Sequence, residues 1–201
     1  MAFLTGVLAF LIGIVYSSFF EWMLHRYILH SPTLLKYPFR AHQLEHHGIF
    51  RADATYFLSE KLHVEEDKKH LTFAWWNAPA LIALHAPLLG GVYLLAGIWA
   101  CAGTLLAMIS YYAMYEYLHY CMHVPKNRWI ERTRFFEGIQ AHHRYHHVYY
   151  MRNLNVVLPL WDFILRTRGA AQEGLYEKLE SVRLRREDRA QEPVASDSAS
   201  R

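Results

Sequence analysis

Histidine is the residue type best placed to do chemistry in this sequence. The chain has 201 residues and fourteen histidines, most of them in four short groups. The first is His25 and His30, the second His42, His46 and His47, the third His119 and His123, and the fourth His142, His143, His146 and His147. Neutral imidazole is a good ligand for iron, zinc, copper or nickel. Several such groups in one short chain point to a metal centre. Cysteine offers no competing site: Cys101 and Cys121 lie apart in apolar surroundings, with no paired-cysteine zinc motif and no disulfide framework. They read as buried packing thiols.

Residues four apart share one face of an α-helix. On that rule His42 with His46, His119 with His123, and His143 with His147 can each hold one metal from a single helix. A neighbouring histidine such as His47 or His146 is turned by about 100° and can reach a second metal beside the first. His25 and His30 are five apart, so they are expected to flank a cavity or to bind through a local helix distortion. The pattern suits two metals held among several helices. The expected ligands are His25, His30, His42, His46, His47, His119, His123, His143, His146 and His147, with His142 and His63 as further candidates. Glu21 and Glu116 each lie about one turn before a ligand histidine, where a carboxylate can accept the imidazole's other N–H. His63, His70 and His85, taken singly, read as surface or satisfied core residues.

The elements that position these groups follow from the charge pattern. No charge occurs before Glu21, and between Lys69 and Lys126 the only charged residue is Glu116. The apolar run 3–20 is long enough to cross a bilayer, and helix is expected to continue to about residue 30, ending before Pro32. The run lacks a basic leader and a small-residue cleavage site, so it reads as a retained membrane helix. The second apolar block suits a helical hairpin over 72–89 and 93–120, turning at Gly90-Gly91, with Pro79 and Pro87 kinking the first arm. A polar helix at the membrane surface fits residues 39–47. The fold class expected is therefore all-α: about three transmembrane spans and a cytosolic-face helical cap holding a histidine-rich dimetal site. All Lys and Arg lie on the cap side, which the positive-inside rule makes cytoplasmic. Residues 1–169 form the membrane-embedded domain. Residues 170–201 read as a polar C-terminal tail, with a helix over 174–189 and disorder from 193. A net charge of +3 with no basic stripe excludes a nucleic-acid partner.

These groups in this order resemble the fatty acid hydroxylase/sterol desaturase superfamily of membrane histidine-box enzymes. The likeness covers about residues 18–168. It rests on the four histidine boxes, on the first-box context Glu21-Trp22-Met23-Leu24-His25-Arg26, and on the stretch 155–167 (NVVLPLWDFILRT), which is similar to a closing PLWD motif of the fatty acid hydroxylase branch. Phe163 and Arg166 depart from that motif, where Arg and Gly are usual. The resemblance implies two iron ions as cofactor, O2 as co-substrate and hydroxylation of the acyl chain of a fatty acid or fatty-acyl lipid. No HPGG-type haem motif is present, so electrons are expected from an external donor, cytochrome b5-like or ferredoxin-type. The partners implied are that donor, a lipid substrate and the membrane. The competing readings are a sterol or carotenoid hydroxylase or desaturase of the same superfamily, and a non-catalytic metal-binding membrane protein. A transporter would place its ligands near the bilayer midplane, whereas these gather at one side.

Overall fold

The computed structural model describes residues 1–191. It is helical throughout, with no strand among the described residues. The helices are α1 (Ala2–Leu24), α2 (Lys36–Phe39), α3 (His47–Ile49), α4 (Asn77–Leu84), α5 (Ala86–His123), α6 (Arg134–His146), α7 (Leu160–Ile164) and α8 (Leu175–Gln191). Two π-helical segments interrupt this series: His25–Leu29 continues α1, and Arg40–His46 joins α2 to α3. The helix expected across 39–47 is thus present, but more than half of it is wound in the wider π form. The polar helix expected from 174 is α8; residues 193–201, expected to be disordered, lie outside the described residues.

Two helical segments, Ala2–Leu29 and Ala86–His123, are long and apolar enough to cross a membrane. α1 leaves Phe3, Leu4, Val7, Leu8, Leu11 and Ile12 exposed. So large an unpartnered apolar face suits contact with lipid rather than water. The other face of α1 packs along residues 98–123 at very short range. A Cβ on Gly103 would sit 2.2 Å from the Gly6 carbonyl oxygen, and one on Gly13 would sit 2.7 Å from Ala107. Small residues let helix backbones approach this closely in the absence of a hydrophobic driving force.

The expected turn at Gly90-Gly91 is not observed: both residues lie inside α5. The chain reverses at Gly97, whose φ of 81° and ψ of −177° break the helix. Gly6 lies beside Trp99 and Gly103, and Glu21 bonds Tyr111, so 98–111 runs parallel to α1. His85, however, packs against Tyr16 and Phe20. Residues 85–96 therefore run the opposite way. Gly97 can reverse the chain because it lacks a Cβ, whereas Gly90 and Gly91 stay helical, with open space where their Cβ atoms would sit. The kink expected from the prolines falls at His85, between α4 and α5. Pro79 and Pro87 both sit in the first turn of their helices, where the missing N–H costs little.

Candidate metal centre

At the polar end of α1 and α5 the histidines converge into two adjoining cages. The first comprises His25, His30, His42, His47 and His146; the second comprises His46, His123, His143 and His147. Within each cage one ring nitrogen per residue lies within 4.8 Å of all the others. His119 stands at the edge of the second cage, its ring centroid 4.8 Å from His46, 4.9 Å from His123 and 4.8 Å from His143.

Local helix geometry decides which histidine enters which cage. His143 and His147, on the last turn of α6, face the same cage with Nε2 atoms 3.0 Å apart, as α-helical spacing requires. His146, one residue away from His147, turns into the first cage, its Nε2 3.0 Å from that of His30. The pairing of His42 with His46 is overturned. Residues 40–46 are π-helical, so residues five apart share a face: His42 joins His47 in the first cage, with Nε2 atoms 3.1 Å apart, and His46 goes to the second. The same distortion at 25–29 brings His25 and His30 together, rings stacked at 4.9 Å. Single-turn π segments concentrate at functional sites.

Most of these rings are fixed from behind. Nδ1–H donates to a backbone carbonyl at His25 (Leu154, 2.5 Å), His46 (His70, 2.9 Å), His119 (Leu71, 3.1 Å), His123 (Tyr56, 2.8 Å), His146 (Arg152, 2.8 Å) and His147 (Phe50, 2.5 Å). His30 Nδ1 donates to the Gln43 side-chain oxygen. A ring that donates at Nδ1 presents Nε2 as a bare acceptor. His30 and His146 then face each other at 3.0 Å, lone pair to lone pair, with no proton to share. The Nε2 atoms of His46 and His119 are buried without any partner. Burial, reinforced by neighbouring imidazoles, holds His42, His46, His47, His143, His146 and His147 well below the ordinary histidine pKa. Burial takes His30 down to about 4, against the opposing effect of its hydrogen bond to Gln43. Neutral imidazoles with converging, unpartnered lone pairs fit metal cations, which supply the positive charge that protons cannot.

The acidic residues act one layer further out than the sequence implies. Neither Glu21 nor Glu116 accepts a bond from a histidine. Glu21 accepts from Val156 N (2.6 Å), Asn155 Nδ2 (2.9 Å) and the Tyr111 hydroxyl (2.6 Å), which fixes the loop whose Leu154 carbonyl holds His25. Glu116 accepts from Phe73 N at 3.2 Å, two residues from the Leu71 carbonyl that holds His119. Each carboxylate thus secures a backbone segment, and the segment aims the histidine. His142 lies outside both cages: its Nε2 bonds Asp162 at 2.9 Å. His63 also lies outside, spanning the Ser59 and Thr55 carbonyls.

Asp162 was not singled out as a site residue from the sequence, although it ends the PLWD motif. Its buried carboxylate accepts from Leu154 N, Asn155 N, Thr167 Oγ1 and His142. Burial alone would raise its pKa, but these bonds outweigh burial and hold it below the usual carboxylate value. Asp162 and Glu21 therefore grip the 154–156 loop from opposite sides. The signal available was a charged residue inside the apolar stretch 154–165, a position an unpaired acid rarely takes.

No protein-family model and no curated protein matches the chain. One solved structure, described as full-length scs7p with only its hydroxylase domain visible, superposes with a TM-score of 0.55 at 22% identity, covering 83% of this chain. The two share a fold. This chain spans 57% of that one, little more than half its length.

An apolar cavity opens beside the first cage. Its walls include His25 and Leu29 at the metal end, and Tyr16, Phe20, Leu81 and Met108 further along. It lies between α1, α4 and α5, with His25 in its wall.

Proposed function

We propose that this chain is a di-iron, O2-dependent membrane oxidoreductase that hydroxylates the acyl chain of a fatty acid or fatty-acyl lipid. The observation that carries this reading is the junction of two adjoining all-imidazole cages with an apolar cavity ending at His25. The shared fold with a hydroxylase domain supports it. His25, His30, His42, His47 and His146 would hold one iron; His46, His123, His143 and His147, with His119 beside them, would hold the other. Bound iron would supply O2 activation and oxidation of an unactivated C–H bond. The balance is one C–H bond and O2, with two electrons and two protons, giving an alcohol and water.

The protein's part is positioning and exclusion. Carbonyls at Leu154, Arg152, His70, Tyr56 and Phe50 lock the imidazoles in one tautomer. The cavity walls orient one carbon of a lipid chain toward His25 and keep water from the oxidant. We also assign three membrane crossings, α1 and the two arms either side of Gly97, with the cages facing the cytoplasm. The electrons would come from an external cytochrome b5-like or ferredoxin-type donor meeting that face.

Expression in a host lacking the protein, followed by mass spectrometry of total lipids, tests this. A lipid heavier by one oxygen is expected with the native chain and not with His143→Ala/His147→Ala. An unchanged lipid profile, together with no O2 consumption by iron-loaded, chemically reduced protein, overturns it.

A further inference from the structure

The cavity between α1, α4 and α5 is apolar along most of its wall, yet one histidine that lines it, His85, has no role in the metal centre. His85, which reads from sequence as a surface or satisfied core residue, is 92% buried, at 8% relative exposure. Its Nδ1 donates to the Leu81 carbonyl at 2.7 Å. The ring is held edge-on to Phe20 at 4.4 Å and to Tyr16 at 5.7 Å. In the neutral ring this leaves Nε2 as an acceptor, with no hydrogen-bond partner among the described residues, on a residue lining the cavity.

A saturated hydrocarbon chain in this cavity would leave His85 Nε2 unpaired, which is costly in an apolar setting. A hydroxyl on the ligand removes that cost, because it can donate to the imidazole. Sites built to bond a ligand hydroxyl discriminate strongly against the analogue lacking it. We propose that the cavity selects a lipid carrying a hydroxyl group within its apolar body, and that His85 is the specificity-determining residue that accepts from it. The inference rests on the reading that this cavity delivers lipid to the metal centre. His85 packs at the level of Tyr16 and Phe20, five to nine residues before His25. At 1.5 Å per helical residue, that puts the recognised hydroxyl roughly 7–14 Å from the metal end.

The test is equilibrium binding to the full chain in detergent, with octadecanoate, 10-hydroxyoctadecanoate and 12-hydroxyoctadecanoate as probes. One hydroxylated probe is expected to bind about tenfold more tightly than octadecanoate, the scale of one well-made buried hydrogen bond. His85→Phe keeps the ring packing on Tyr16 and Phe20 but removes the acceptor, and it is expected to abolish the preference. His85→Gln, which retains an acceptor, is expected to keep part of it. Equal affinity for the three probes, binding of none of them, or a preference that survives His85→Phe would overturn the inference. The readout needs no turnover. If the binding preference holds while the protein neither takes up iron nor consumes O2, the di-iron reading falls and this one stands.

Discussion

The two histidine cages adjoin, yet they are built by different means. The second draws His143 and His147 from one regular α-helical turn, His123 from the end of another α-helix, and only His46 from a π-helical segment. The first relies on π-helical winding at 25–29 and 40–46, which places His25 with His30 and His42 with His47. Regular helix needs no special support to present residues four apart. A π turn has poorer intrinsic stability, and here it lies where the 154–156 loop is gripped by Glu21 and Asp162. The first cage is thus the more elaborately braced and the more easily disturbed.

The sharpest way to break this symmetry is His143→Ala with His147→Ala. Removing two ligands from the second cage is expected to lower iron from two per chain to one or fewer, and product by at least about 100-fold, judged against the 10–100-fold effects of outer partners alone. Elemental analysis and lipid mass spectrometry read the two effects. Deleting Tyr27 is the converse. It resets His25 and His30 to four apart and is expected to empty the first cage while the second keeps its metal, giving one iron per chain. Retention of two irons would show that the π turn is not needed.

The bracing can be examined separately. Asp162→Asn and Glu21→Gln are each expected to weaken metal retention in the first cage about 10–100-fold in a chelator competition, with the second cage much less affected. Glu116→Gln, acting through the 71–73 segment on His119, is expected to reverse that order.

The smallest effect concerns acidity in the metal-free protein. His30 falls to about 4 in the folded chain, from an ordinary value near 6.5, because burial disfavours its charged form. The unfolded chain therefore binds a proton first as the pH drops. Stability is retained above about 6.5 and declines progressively toward pH 4. His42, His47 and His146 shift in the same direction for the same leading reason, so the declines add. Thermal melts across that range check this, and bound metal is expected to flatten the dependence.

Much of the centre was legible because histidine spacing reports helix faces directly. The i,i+4 rule placed His143 with His147, and the five-residue gap between His25 and His30 signalled a distortion. It failed at His42 and His46 because a π turn alters the pairing without altering the composition. Glu21 and Glu116 were legible as charges in apolar surroundings, but their partners were not, since backbone amides leave no mark on a sequence pattern. His142 was drawn toward the ligands by adjacency to His143, although α-helical geometry turns it away to Asp162. In the fold, Gly90-Gly91 looked the stronger turn, but the positive φ falls at Gly97, where the second arm begins its close approach to α1 at Trp99 and Gly103.

The grip of Glu21 on residues 155 and 156 joins positions more than 130 apart in the chain. During synthesis α1 is made well before the 154–162 segment. Neither cage has its full set of ligands until α6 has been made, because His143, His146 and His147 come from that helix. A ribosome-bound chain stopped before α6 would carry the early spans but no complete metal cage. Closing so long a loop is entropically slow, so metal loading waits until α6 and the 154–162 segment have been made and have met α1.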